Sequence, residues 1–420
     1  MTLQTPSHRT ETIRGRVLRP RADARTFDYL PDALLTIDPG GRLDFVGPTP
    51  EDCFEPETLP GAVWLPGFVD THVHYPQTRV AGRSSGALLD WLESTVYPEE
   101  ARFADKGHAG AVAAEMCKAL AASGTTTASI YSSSHPLATA ALFATLDRVG
   151  LRANVGLTLM DRCAPPELCL AAGPAIAACE GLIARWHGHD EGRLQFAVTP
   201  RFALSCTPEL LAMAGELADA HNLPIQTHLS ENLAEIAAVR AAFPEHASYL
   251  DVYATHGLCT ERSIFGHCIH LSDGEWDELG AAGAAVAHCP DSNFFLGSGT
   301  MPLRRTLERG VRVGLGTDVG AGRSFSVRAA ASAGYDAALL RGERVTPETL
   351  LWLATTGGAQ ALGLGERVGL IEPGHDADLV AIGVPATVDH RDMDALADAI
   401  LFTRDTSPVK FTMVRGRRVL

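Results

Sequence analysis

The chain has 420 residues, 46% of them hydrophobic and 20% charged, which is too long for one small core and suits a large α/β domain with an accessory piece. Lys+Arg 35 against Asp+Glu 50 gives a net charge of -15, arguing against a sequence-independent grip on nucleic acid or an anionic membrane. No run of eighteen uninterrupted apolar residues reads as a transmembrane helix, and the expected ligand is a small molecule.

Met1 to Thr10 is polar and lacks an apolar leader core, so a cytoplasmic location is expected. From Glu11 to Pro48 the pattern is β, with Arg16-Val17-Leu18, then Ala33 to Ile37, a Pro39-Gly40-Gly41 turn and Leu43 to Val46 forming a hairpin signal. After Pro66, short β runs alternate with alanine- and leucine-rich segments of helical period, the pattern of parallel strands with crossover helices. The β runs are Phe68 to His74, Thr125 to Ile130, Arg152 to Leu159, Gln195 to Pro200, Pro224 to Leu229, Ser263 to His270, Ala284 to His288 and Val311 to Thr317. Helical candidates between them include Ala109 to Ala122, Pro208 to His221, Glu231 to Ala242 and Met301 to Glu308. Eight such units over about 250 residues suit a closed (β/α)8 TIM-like barrel, whose chemistry lies at the C-terminal ends of its strands. A doubly wound open sheet is the alternative, but no Gly-X-Gly-X-X-Gly opens a helix after a strand.

Past Gly369 the chain is β-rich again, at Ala377 to Ile382 and Phe411 to Val419. These strands lack partners of their own, so the expected organisation is a small composite β domain from residues 1–65 and 369–420 around a barrel of residues 66–368. Nine cysteines are scattered without a Cys-X-X-Cys pair, which makes disulfides and a thiolate zinc site unexpected.

Within Pro66-Gly67-Phe68-Val69-Asp70-Thr71-His72-Val73-His74, His72 and His74 share one face of a strand and can hold one cation. Alone, such a pair reads equally as two buried histidines bonded to backbone. Later strand ends add Arg201 and Phe202, then His228 and Glu231, then His267, then Asp318. Each has an ordinary reading: a core histidine, a surface cation, a first-turn carboxylate, a helix cap. Their recurrence at successive strand ends favours a single site.

This set resembles the amidohydrolase superfamily. His74-Tyr75-Pro76-Gln77, Leu89-Asp90-Trp91-Leu92, Gly124 to Thr127, Thr199-Pro200-Arg201-Phe202, His228-Leu229-Ser230-Glu231-Asn232 and Ala287 to Asn293 look like its guanine deaminase branch. The resemblance implies one zinc ion per chain on His72, His74, His228 and Asp318, with Glu231 and His267 handling protons. It also implies that Gln77, Arg201 and Phe202 contact a purine, and it suggests a homodimer. Three imidazoles and a carboxylate leave room for a water whose pKa a metal would lower. Glu231, three residues after His228, is placed to move protons between water, ring and leaving amine.

A two-metal site bridged by a carboxylated lysine is not expected, because Lys106, Lys118 and Lys410 all lie away from barrel strand ends. The cysteine-based zinc deaminase signature is also missing. The expected reaction is hydrolytic deamination of guanine to xanthine and ammonia. The alternatives are the same chemistry on another purine, a pterin or a triazine, and a catalytically inactive barrel that binds a partner.

Overall fold

The computed structural model describes residues 11–419; Met1 to Thr10, on which the expected location rests, lies outside them. Eight parallel strands form the barrel: Phe68–His74, Thr125–Tyr131, Arg152–Gly156, Leu194–Phe196, Ile225–Leu229, Ser263–His267, Ala285–His288 and Arg312–Leu315. The first four and the last four each pair in chain order. Backbone hydrogen bonds join the two halves. At one seam Val198 N–H donates to Pro224 O at 2.8 Å and Gln226 N–H to Val198 O at 3.0 Å. At the other, Asp318 N–H donates to His72 O at 2.8 Å and His74 N–H to Val319 O at 3.0 Å.

The helices cover the barrel for the reason their spacing predicts. In Ala172–Trp186 the buried residues Ala175, Ile176, Cys179, Leu182, Ile183 and Trp186 recur every three or four positions, a stripe that packs into the main core. The run Pro166–Trp186 is apolar enough, over 21 residues, to cross a membrane by composition. Its continuous helix is only 15 residues, about 22 Å at ~1.5 Å per residue, short of the ~30 Å of a bilayer core.

The first and last described segments meet in one seven-stranded sheet. The N-terminal strands Glu11–Pro20, Phe27–Ile37, Leu43–Pro48 and Ala62–Pro66 join the C-terminal Leu379–Gly383, Val409–Val414 and Arg417–Arg418. The junction is antiparallel, with Leu65 opposite Val380 and Trp64 opposite Ala381. Residues 369–420 also contain the helix Met393–Phe402, capped by Asp392, which a β-rich reading of that segment passes over.

Three other differences from the expected elements have local causes. The sixth strand stops at His267 rather than His270, because His267 (φ 69°) and Cys268 (φ 50°) turn into the left-handed region. The third and fourth runs each break in two, giving the short parallel pair Thr158–Leu159 and Thr199–Pro200. The helix expected from Glu231 begins at Leu233, since Ser230 has φ 50° and Asn232 is extended and forms a capping box with Glu235.

Candidate active site

The C-terminal ends of the first, fifth, sixth and eighth strands bring His72, His74, His228, His267 and Asp318 into one buried cluster. His72 Nε2 is 3.2 Å from His74 Nε2, and His74 Nε2 is 3.1 Å from His228 Nε2. Asp318 Oδ1 lies 3.4 Å from His72 Nε2 and 3.3 Å from His74 Nε2. Donors about 2.0–2.1 Å from one tetrahedral ion stand ~3.3 Å apart, so the four atoms fit a single divalent metal.

The imidazoles are prepared for that role. A carbonyl oxygen can only accept, so the 2.5 Å contact of His228 Nδ1 with Arg201 O places the ring proton on Nδ1 and turns the Nε2 lone pair inward. Burial depresses His72, His74 and His228, His74 to about 3, which keeps them neutral and able to ligate. Burial alone would raise Asp318, but the adjacent imidazoles of His72 and His74 outweigh it and hold the carboxylate well below its ordinary range.

The backbone makes room for this crowding. A Cβ on Gly266 would sit 2.7 Å from His72 Cε1, and one on Gly316 would sit 2.7 Å from His72 Cβ, so only glycine admits the ring at these two positions. Of nine non-glycine residues with positive φ among the described residues, Ser230, His267, Cys268 and Asp318 lie at the site. Strain of this kind concentrates where surrounding contacts fix a side chain's aim.

Beside the donor set, Glu231 Oε2 is 3.4 Å from His267 Nε2, and Ser298 Oγ donates to Glu231 Oε1 at 3.1 Å. Burial, then the charge of Asp318, pushes the Glu231 carboxyl up to about 8. His267 Nδ1 meets Asn293 Oδ1 at 2.9 Å, which orients the ring so that Nε2 faces Glu231 and, at 3.8 Å, Asp318 Oδ2.

A cavity opens over the cluster, lined by His74, Gln77, Trp91, Leu92, Arg201, Phe202, His228, Glu231, His267 and Asp318 among others. All nine residues expected at the site are thus brought together except His72, which lies just beneath the lining as part of the donor set. Several neighbours were not expected. Tyr131 packs its ring 4.4 Å from that of His72 and 4.7 Å from that of His74, centroid to centroid. Buried Glu100 bonds to both Gln77 and Arg201. Glu235 Oε2 accepts from the Glu231 and Asn232 amides at 3.0 and 3.1 Å. Of these, only Glu235 had a legible signal, the Asn-X-X-Glu capping box.

A (β/α)8 barrel with a His3Asp donor set at its strand ends defines the class of metal-dependent hydrolases. Comparison agrees, since the amidohydrolase family matches residues 63–419, and the chain belongs to that family. Guanine deaminase of Escherichia coli (strain K12) is 36% identical over 399 residues, 92% of this chain and 90% of that protein. The probable guanine deaminase of Deinococcus radiodurans is 43% identical over 371 residues, 84% of each. The crystal structure of guanine deaminase from C. acetobutylicum with bound guanine in the active site matches with TM-score 0.92 at 28% identity, over 98% of this chain and 100% of that one.

Proposed function

We propose that the chain is a guanine deaminase, converting guanine and water to xanthine and ammonia with one zinc ion per chain, as a cytoplasmic homodimer. The observation that carries this reading is that one cavity is lined by three of the four donors, His74, His228 and Asp318, together with Glu231, Gln77 and Arg201. Its guanine deaminase relatives, one with guanine bound, support the choice of substrate.

His72, His74, His228 and Asp318 would hold the metal, which would supply a Lewis acid to lower the pKa of the water that attacks C2 of the purine. Glu231 is the proton carrier. Its Oε2 faces His267 Nε2 at 3.4 Å inside the cavity, so it accepts a proton from the water, gives one to ring N3 and serves the departing amine. His267, held by Asn293, orients the water. Arg201 carries only donors and meets O6; Gln77 meets the remaining polar edge. Trp91, Leu92 and Phe202 wall the cavity and exclude bulk water. Ammonia release from guanine by the purified, metal-loaded protein tests the reading, and no release from guanine alongside turnover of another aminated heterocycle would overturn it.

A further inference from the structure

Glu100 lies outside the strand-end pattern, on the short helix Tyr97–Ala101, yet it is 3% exposed and both its oxygens point into the site. Oε2 accepts from Arg201 Nη1 at 2.6 Å, and Oε1 accepts from Gln77 Nε2 at 3.2 Å. The geometry points to Glu100 as a positioning residue that sets the orientation of both side chains reading the purine. The inference rests on the guanine deaminase function proposed above and adds the device that makes its substrate recognition specific.

Three observations carry it. Gln77 also accepts from Gly320 N–H through Oε1 at 3.1 Å, so Glu100 and Gly320 together decide which end of the amide is which. One N–H and one lone pair remain to meet a ligand. Without the carboxylate the amide is free to turn over, and its code for donor and acceptor is lost. The guanidinium of Arg201, a residue 4% exposed, has Glu100 as its only hydrogen-bond partner among the described residues, so its other nitrogens stay available to the cavity it lines. Finally, the pair joins two opposite charges, so the cavity presents a neutral, donor-bearing edge to a neutral base. An unpaired guanidinium in the same place would carry a heavy desolvation cost and attract anions.

The helix itself is pinned from its outer side, which separates Glu100 from an incidental ion pair. Adjacent Glu99 turns the other way, to His108 Nε2 at 3.0 Å and Arg102 Nη1 at 2.7 Å. Consecutive carboxylates therefore clamp the turn outside and the two readers inside.

The test is Glu100→Gln, which keeps the shape but can offer only one acceptor to two donors. Guanine kinetics are measured beside the inhibition constant of 2-aminopurine, which lacks O6 and the N1 hydrogen, together with metal content and thermal stability. The expected result is a fall in kcat/KM for guanine on the order of 10- to 100-fold, mainly in KM, with 2-aminopurine binding and metal content little changed. Equal weakening of both purines, or wild-type guanine kinetics, would overturn the inference. Glu100→Asp keeps the charge but is one methylene too short to reach both donors, so an intermediate loss is expected. If the Gln variant does not fold, an unchanged guanine KM in the Asp variant overturns the inference equally well. Wild-type protein that releases no ammonia from guanine strikes the deaminase function itself, an outcome visible before any substitution is made.

Discussion

Thr317 ties itself to Asp70, 247 residues away along the chain, through both of its donors: its amide N–H reaches Oδ1 at 2.9 Å and its hydroxyl reaches Oδ2 at 2.5 Å. The same Oδ1 accepts from the His72 amide at 3.2 Å. A buried carboxylate thus locks the last barrel strand to the first at the level where His72, His74 and Asp318 must converge. The donor set is completed by barrel closure.

That convergence leads to the first prediction, one tightly held divalent ion per folded chain. Elemental analysis of the purified protein checks it, and two ions per active chain would contradict it. His228→Ala should lose both metal and activity, because its inward lone pair is one of four donors.

Glu231→Gln should keep the fold and the metal while losing turnover. An amide of the same shape accepts the Ser298 hydroxyl but cannot carry a proton. Proton transfer by a positioned side chain is worth about 10²- to 10⁴-fold, and Glu231 serves several steps, so the loss in kcat belongs at the upper end. Turnover within a few-fold of wild type in a metal-loaded variant would remove Glu231 from the mechanism.

Adenine should be a very poor substrate, since it would aim an amine at Arg201 where guanine offers O6. Sites built to hydrogen-bond one group reject a mismatched analogue by on the order of 10⁴-fold. Arg201→Ala should lower kcat/KM for guanine severely and also destabilise the fold by about 3–5 kcal/mol, because Glu100 is left buried and unpaired. The contact to His228 is made by the Arg201 main-chain oxygen, so metal content should survive. Arg201→Lys should rescue only partly for want of the planar fork. Guanine and adenine kinetics with a metal assay decide these points.

The seam between barrel and β sheet supplies a test of stability alone. Arg152, on the third barrel strand, reaches Asp378 Oδ2 through Nε at 2.9 Å and Asp376 Oδ2 through Nη2 at 2.6 Å, with all three side chains 1% exposed. Arg152→Ala leaves two carboxylates buried together and should cost about 3–5 kcal/mol in urea unfolding. Arg367 Nη2 also holds Asp376 Oδ2 at 2.8 Å, and a change below about 1 kcal/mol would mean that this contact suffices without Arg152.

Glu235 predicts a pH effect. Burial, then the charge of Glu231, pushes its carboxyl up to about 7 from an ordinary 4.5, against the bonds from Asn232 and Tyr249 and the nearby His267. The folded state therefore binds the proton more tightly than the unfolded chain. Glu235's contribution to stability should fall as pH rises from about 4.5 through about 7 and level off above. Glu235→Gln should remove that part of the slope, which unfolding free energies at about pH 5 and pH 8 measure; an identical slope in both proteins would refute it.

The order of amino acids by itself determined the strand and helix alternation of the barrel and set its polar residues at strand ends, while the donor roles came from the resemblance to the amidohydrolase superfamily. Strand alternation and helical period are local properties, and strand ends are where a barrel exposes side chains, so His72, His74, His228, His267 and Asp318 stand out before any coordinate is known. The N- and C-terminal strands were paired because neither set had another partner. Only the tertiary structure decided what holds those residues in place. Glu100 sits on a helical turn with no pattern to mark it, Ser298 lies beyond the end of the Pro290–Phe295 helix, and Asp70 meets Thr317 only once the barrel closes. The physical reason is that a hydrogen bond acts over about 3 Å and is indifferent to separation along the chain: periodicity tells which face a residue occupies, whereas its bonding partner is set by how distant segments come together.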